Sequence, residues 1–273
     1  MAKQLQHFSK SKMQWALIAG GSKGIGYSVA EALARRTYNI ILIARNPADL
    51  VIAKRKLEYL PVKVEIFSCD LSLTGSAEEI AAFCRDRAVA LNVLCHAAGK
   101  GGAADYLSLP PAGLHSMIRL NIESVAELTQ NLLPILEQNS PSYILNIGSL
   151  AGFAPIPVKN IYSATKAALL FFSYSLRYQL AGRNISVSCL CPGPVFTKPS
   201  IETETNKKLG WLGGWIAVEP EIVGETAVRN MLRGKMLIVP GWPAKLISVL
   251  LRLLPARLSA WIFYQSGKTK MKL

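Results

Sequence analysis

The sequence lacks long apolar runs, a secretory signal and paired cysteine motifs. No stretch of about 18 apolar residues is free of charge, so no membrane-spanning helix is expected. The first twelve residues contain lysines but no apolar run followed by small residues. The five cysteines lie in apolar stretches without CxxC spacing, which argues against a zinc site or a redox pair. We therefore expect a cytoplasmic protein with buried, reduced thiols and no metal.

Acidic residues are absent from both ends of the chain. Residues 1–12 contain three lysines and residues 233–273 contain eight lysines or arginines, with no Asp or Glu in either segment. These ends account for most of the net charge of +14, and residues 13–232 are close to balanced. A nucleic-acid surface would instead carry cations interleaved with aromatic residues across the folded body. We expect no nucleic-acid partner.

Short apolar runs alternate with helical patterns from Met13 onward, which is typical of βαβ units in a parallel sheet. The predicted strands cover residues 15–19, 40–44, 63–68, 93–96, 143–147, 186–191 and 236–239. The predicted helices cover residues 24–36, 48–59, 77–87, 113–138, 160–181 and 221–233. This pattern predicts an α/β fold, a single doubly wound Rossmann domain over residues 13–242 whose seven-stranded parallel sheet is flanked by helices. A basic tail (1–12) precedes it and a basic helical extension (243–273) follows.

The G-x-G-x-x-G spacing is absent from the first strand–helix junction, but glycines are not: AGGSKGIG occupies residues 19–26. Gly20 permits a sharp turn, Gly24 lets backbone amides approach a pyrophosphate, and Gly26 lets the helix pack closely on the strand. The position of this loop at the first junction of a doubly wound chain favours dinucleotide binding. The loop residues predicted to bind the cofactor are Gly20, Ser22, Lys23, Gly24, Ile25 and Gly26.

The second strand ends without the acid that an NAD enzyme offers to the ribose hydroxyls. Arg45 stands there instead and offers a bidentate fork to a 2′-phosphate, with Lys23 as a second cation. The alternative is two exposed surface cations. The pattern favours NADP(H) as the cofactor.

Three polar residues suggest acid/base chemistry at the carboxyl edge of the sheet. Ser149 follows the fifth strand, and Tyr162 and Lys166 have the i, i+4 spacing that places two residues on one helix face. A phenol has a pKa near 10, and a neighbouring ammonium lowers it by favouring the phenolate. Such a tyrosine can deliver a proton to a carbonyl oxygen as hydride reaches the carbon.

The motifs AGGSKGIG at 19–26, HAAG at 96–99 and YSATK at 162–166 resemble, in order and spacing, those of the short-chain dehydrogenase/reductase family. The resemblance covers about residues 13–242. It implies that Tyr162 is the general acid/base, that Ser149 holds the carbonyl oxygen, and that Lys166 binds the nicotinamide ribose. It also implies that Asn121 supports a water in the proton relay. The further cofactor contacts that it implies are Asp70, Leu71, Ala97, Ala98, Gly99, Pro192, Gly193, Val195 and Thr197.

The chain departs from the family pattern in three places. Ala19 replaces the usual threonine of the glycine loop, and His96 replaces the first asparagine of N-N-A-G, which we interpret as a structural substitution. The last predicted strand lacks a glycine-rich ending and is followed by some 30 residues. This ending is similar to that of relatives acting on lipophilic ketones. These include 3-ketosphinganine reductases, long-chain 3-oxoacyl-thioester reductases and 17β-hydroxysteroid dehydrogenases, and the sequence does not choose among them.

The expected function is NADP(H)-dependent reduction of a lipophilic small-molecule ketone, or oxidation of its secondary alcohol. The alternatives are a cofactor-binding scaffold or sensor without turnover, and a lyase or epimerase that uses the same tyrosine. The long segment 192–220 follows the sixth strand and is predicted to close over the substrate, the alternative being a partly disordered connection.

Two prolines, Pro243 and Pro255, each predict the start of a short C-terminal helix, over 243–254 and 255–265. Both helices have apolar surfaces, which are expected to be buried against another surface or molecule. A peripheral membrane contact with anionic lipid, a second subunit in a homo-oligomer, and the mouth of the substrate site are the three candidates.

Overall fold

The computed structural model of the protein describes residues 14–101, 106, 109–195 and 218–268. The apolar runs form seven parallel strands in the order β3-β2-β1-β4-β5-β6-β7. Their bounds are β1 Trp15–Ala19, β2 Asn39–Ala44, β3 Val64–Ser68, β4 Leu91–His96, β5 Ser142–Ile147, β6 Ile185–Leu190 and β7 Leu237–Ile238. The predicted doubly wound fold is confirmed, and the order of the strands reverses between β1 and β4, where such sheets bind ligands.

Helices cover both faces of the sheet. They are α1 Gly24–Ala34, α2 Pro47–Leu57, α3 Ser76–Asp86, α4 Pro111–Ile118, α5 Ser124–Gln138, α6 Asn160–Gln179, α7 Pro220–Leu232, α8 Trp242–Leu253 and α9 Ala256–Lys268. One prediction needs correction, because the helix expected over 113–138 is divided by a π-helical turn at Arg119–Glu123. Periodicity alone cannot reveal one extra residue inserted into a helix.

The core has two main layers because neighbouring strand residues point to opposite faces of the sheet. Ile18 and Leu42 contribute to the layer under α1 and α7. Leu17 and Ile41 contribute to the layer under α3 and α5. Four of the five cysteines are buried, as expected, and Cys69 is half-buried; all five are free.

The helical extension continues the fold beyond β7. Helix α8 packs against a 3-10 helix at Leu150–Phe153. Helix α9 packs against a second 3-10 helix at Pro157–Lys159. Among the described residues, no helix is long and apolar enough to cross a membrane.

Candidate active site

The predicted site residues gather at the carboxyl edge of the sheet. Parallel pairing aligns the strand ends, with Ala19 opposite His96 and His96 opposite Asn146. The turns that follow β1, β4 and β5 therefore lie side by side, and Gly20, Ala98 and Ser149 each stand in one of them.

Backbone hydrogen bonds fix the conformation of the glycine loop. Gly20 has φ +86°, and its N–H donates to the Ile43 carbonyl at 2.7 Å. The Ala19 carbonyl accepts from Ala97 N–H at 2.8 Å and from Ala98 N–H at 2.7 Å. These bonds brace the turn without the threonine hydroxyl that Ala19 has replaced.

Two glycines of this loop leave no room for a side chain. A Cβ added at Gly20 would lie 2.4 Å from the Ala98 nitrogen. One added at Gly26 would lie 2.1 Å from the Gly20 oxygen. Helix α1 begins at Gly24 with no side-chain cap and no acid in its first turn. Its first backbone N–H groups are thus available to an anion.

The two cations predicted for a 2′-phosphate stand beside this loop, and each has an acidic neighbour. Lys23 Nζ lies 2.7 Å from Asp49 Oδ2. Arg45 Nη1 lies 3.7 Å from Asp70 Oδ2. Both cations are largely exposed, so these pairs hold them loosely in place. Sequence reasoning missed Asp49, which lies in the first turn of α2.

Asp70 is fixed by its own turn after β3. Its Oδ1 accepts from the Ser72 N–H at 2.9 Å and from the Ser72 hydroxyl at 2.7 Å. These hydrogen bonds, with a smaller contribution from Arg45, hold the pKa of Asp70 below its usual value. The carboxylate is therefore a charged acceptor at the end of β3.

Tyr162 lies in the first turn of α6, with its hydroxyl next to Ser149. Burial raises the pKa of Tyr162, and the hydrogen bond with Ser149 acts in the opposite direction. The Ser149 oxygen also accepts from the Ala151 N–H at 3.1 Å. The phenol is thus held in its protonated form.

Lys166 is buried one turn further along α6. Its Nζ donates to the Ile147 carbonyl at 2.6 Å and lies 5.9 Å from the centre of the Tyr162 ring. Burial lowers the pKa of Lys166 to about 8. The expected downward shift of the Tyr162 pKa is therefore not found in the protein without cofactor, because burial of the phenol is the largest cause and raises it.

Asn121 sits in the π-helical turn, where it is buried. Its Oδ1 accepts from the Lys100 N–H at 2.8 Å. Its Nδ2 donates to the Lys100 carbonyl and to the Thr165 hydroxyl, both at 3.0 Å. Asn121 thus ties the turn after β4 to α6. Sequence reasoning missed Lys100 and Thr165, although Thr165 lies inside the YSATK motif.

The remaining predicted residues are placed at the same edge. Leu71 is buried after β3, and Pro192 accepts from the Leu150 N–H at 3.0 Å. Val195, two residues beyond Gly193, forms an isolated bridge with Val218. A Cβ on Gly99 would lie 3.6 Å from Lys166 Nζ. Thr197 and most of the predicted lid (192–220) lie outside the described residues.

His96 makes its side-chain hydrogen bond outside the group formed by Asn121, Ser149, Tyr162 and Lys166. It is buried, and its Nε2 lies 2.9 Å from the Thr129 hydroxyl. Burial lowers its pKa to about 3, so the ring is neutral. This supports a structural role. No group of metal ligands occurs among residues 14–101, 106, 109–195 and 218–268.

The fold and these motifs define an α/β oxidoreductase. The family model for short chain dehydrogenase matches residues 14–208, so the chain belongs to the short-chain dehydrogenase family of enzymes. A very-long-chain 3-oxoacyl-CoA reductase from Rattus norvegicus is 30% identical over 216 residues, which cover 73% of this chain and 69% of the rat protein.

Two solved structures have the same fold. A short-chain dehydrogenase from Sphingobium yanoikuyae in complex with NADPH is 26% identical with a TM-score of 0.75, covering 95% of this chain and 96% of that one. The structure of a 7beta-hydroxysteroid dehydrogenase has a TM-score of 0.82 at 19% identity, covering 92% of this chain and 96% of its own. At that identity the second likeness concerns the fold alone.

Proposed function

We propose that this chain is an NADP(H)-dependent reductase of lipophilic ketones, working also as a dehydrogenase of the corresponding secondary alcohols. The observation that carries the proposal is the Tyr162 hydroxyl beside Ser149, with the buried Lys166 one turn away at the same strand edge. A phenol is a suitable proton donor to a carbonyl oxygen when a neighbouring cation offsets burial and brings its pKa towards the operating pH.

The glycine loop fits a dinucleotide. The open N-terminus of α1 suits a pyrophosphate, and Gly20 and Gly26 leave space only for backbone. NADP(H) is favoured over NAD(H) because Arg45 replaces the expected acid, with Lys23 beside it. The NADPH bound to the Sphingobium relative supports the same choice. When bound, the nicotinamide would supply or accept the hydride.

Side chains of this protein carry out the proton transfer. Ser149 donates a hydrogen bond that positions the carbonyl oxygen, and the Tyr162 hydroxyl gives its proton to that oxygen. The phenolate that remains is stabilised by the Lys166 ammonium. The phenolate would then regain its proton from Lys166. Asn121, whose side chain donates to Thr165 beside Lys166, would support a water that replaces the proton lost by Lys166.

A lipophilic substrate is supported by the name of the rat relative, a very-long-chain 3-oxoacyl-CoA reductase. A cavity of about 340 Å³ with mostly apolar walls lies between segment 152–157 and the helix that carries Tyr162, with Phe153 and Ile156 among its lining residues. Neither Ser149 nor Tyr162 lines this cavity.

The proposed function is tested by following the loss of NADPH absorbance with long-chain 3-oxo thioesters, steroid ketones and small ketones. Oxidation of NADPH with formation of the alcohol is expected, with the highest kcat/KM for an apolar ketone. Cofactor binding without consumption across all three classes would indicate the scaffold or sensor. Conversion of a substrate without net NADPH loss would indicate the lyase or epimerase.

Removal of Arg45 should change the choice of cofactor. In Arg45→Ala, NADPH affinity should fall about tenfold more than NADH affinity, because a charge-assisted fork to the 2′-phosphate is lost. Titration of both cofactors measures this, with Arg55→Ala, an exposed arginine in α2, as the matched control. Equal losses for NADPH and NADH would assign Arg45 another role.

Ketone reduction should weaken at alkaline pH. Because the pKa of Lys166 is about 8, its ammonium loses a proton as the pH rises through that value, and the Tyr162 phenolate loses its stabilising charge. The kcat/KM for the ketone should therefore fall by about tenfold per pH unit on this limb. If Lys166→Arg keeps some activity, its kcat/KM should not decrease over this pH range, since arginine stays charged. A wild-type profile that is flat through this range would contradict the assignment.

A further inference from the structure

Helix α8 is docked with its small residues inward and its large apolar residues outward. Ala244 and Ser248 are buried, Ser248 with 2% of its surface exposed. Leu246, Leu250 and Leu253 are 55%, 52% and 76% exposed. Helices of soluble domains usually bury the apolar stripe. Here the stripe is the outer surface of the protein.

Helix α9 continues this surface. Ser259 is buried, and Leu258, Trp261 and Ile262 are exposed at the spacing of one helix face. The two helices are joined by only Leu254 and Pro255. The exposed apolar residues of these two consecutive helices are here called the apolar patch: Leu246, Val249, Leu250, Leu253, Leu258, Trp261 and Ile262.

The chain segments that form and carry this patch contain no acidic residue. No Asp or Glu occurs in residues 226–273, nor in residues 138–201, which include both 3-10 helices that carry α8 and α9. Lys245 and Arg257 are exposed beside the patch. Arg252 donates to the Ser248 carbonyl at 3.0 Å and lies 5.5 Å from the Phe153 ring. Cations thus flank the apolar stripe.

We propose that this patch is a docking surface for an anionic lipid bilayer, on which α8 and α9 lie in the interfacial plane. Apolar side chains enter the boundary between headgroups and acyl chains, and the flanking Lys245, Arg252 and Arg257 meet the anionic headgroups. Long basic side chains suit this position because their stems are apolar while their charges reach the polar layer. The inference does not depend on the reaction proposed above.

The charge distribution favours lipid over a second copy of the chain. In a symmetric dimer formed through this patch, each copy would present the same acid-free, basic surface to the other. The cations would then face cations without a carboxylate to pair with, which disfavours association. An anionic membrane offers the complementary charge.

Flotation of the full chain with vesicles tests the proposal. Vesicles of phosphatidylcholine alone and of phosphatidylcholine mixed with phosphatidylserine are compared at low and high salt. Binding is expected to the phosphatidylserine vesicles and to weaken with salt, because exposed charges are screened. Leu246→Gln/Leu250→Gln should lower the partition coefficient by at least about tenfold, as two buried leucines are lost from the bilayer contact.

Matched control variants distinguish binding through this patch from non-specific binding of the protein to vesicles. Ile52→Gln/Ile222→Gln removes two apolar residues of similar exposure, 53% and 58%, on other helices, and should bind like the wild type. Lys245→Gln/Arg257→Gln should lose about tenfold on phosphatidylserine vesicles, whereas Arg55→Gln/Arg85→Gln, exposed cations of α2 and α3, should lose less. Circular dichroism verifies that each variant is folded.

Three results would overturn the proposal. The wild type fails to float with phosphatidylserine vesicles at low salt, or the leucine variant floats as well as the wild type. In the third result, light scattering shows that the wild type is an oligomer and the leucine variant a monomer, and neither protein binds vesicles. This result would identify a second copy of the chain as the occupant of the patch.

Discussion

Tyr162→Phe is expected to lower the turnover of ketone reduction by at least about 100-fold, the lower end of the usual contribution of acid/base catalysis. The substitution removes one oxygen, the one that holds the transferable proton beside Ser149. The ring and its packing on α6 are kept, so NADPH affinity should persist. Steady-state kinetics and a fluorescence titration of NADPH measure the two quantities separately.

Tyr178→Phe is the matched control, because it removes the same oxygen from an exposed tyrosine of the same helix. It should leave both turnover and affinity unchanged. Normal turnover in Tyr162→Phe would refute the assignment of the proton donor. A parallel loss of NADPH affinity would show that the hydroxyl acts mainly in binding.

Gly26→Ala is expected to lower NADPH affinity by at least about tenfold and to destabilise the fold by about 1–3 kcal/mol, as overpacking of a closed contact does. The new Cβ would lie 2.1 Å from the Gly20 carbonyl oxygen, so α1 must move away from the turn. Such a movement displaces the amides that face the cofactor. Thermal unfolding and cofactor titration report the two effects.

Gly182→Ala provides the comparison, since nothing lies within 4 Å of the Cβ that it adds. Its unfolding temperature and NADPH affinity should match the wild type. If Gly26→Ala also behaved like the wild type, the close contact between the turn and α1 would not be needed for binding.

Most of the architecture could be predicted from local patterns. Runs such as residues 15–19 and 40–44 are apolar throughout because parallel strands are buried on both faces, and the seven predicted strands match those of the structure to within two residues at each end. The positions of Gly20, Ser149 and Tyr162 at the carboxyl edge followed from the same reasoning, since parallel strands all end at one side of the sheet.

The electrostatic state of the site could not be predicted in this way. The spacing of Tyr162 and Lys166 places them on one face, but the pKa of each depends on burial and on hydrogen bonds from distant parts of the chain. Lys166 donates to Ile147, 19 residues earlier, and Lys23 is paired with Asp49 of another helix. Only the folded chain brings these partners together.

The sequence by itself determined the secondary structure, the family motifs and the helical character of residues 243–265, because each depends on short-range periodicity and on residue chemistry. The tertiary structure decided that a π-helical turn holds Asn121 and that Leu246 and Leu250 face outward while Ser248 is buried. A helical wheel identifies an apolar face but not the side on which the helix is docked. That choice depends on the surface beneath α8, where Ala244 packs in a core cluster with Leu150 and Phe153.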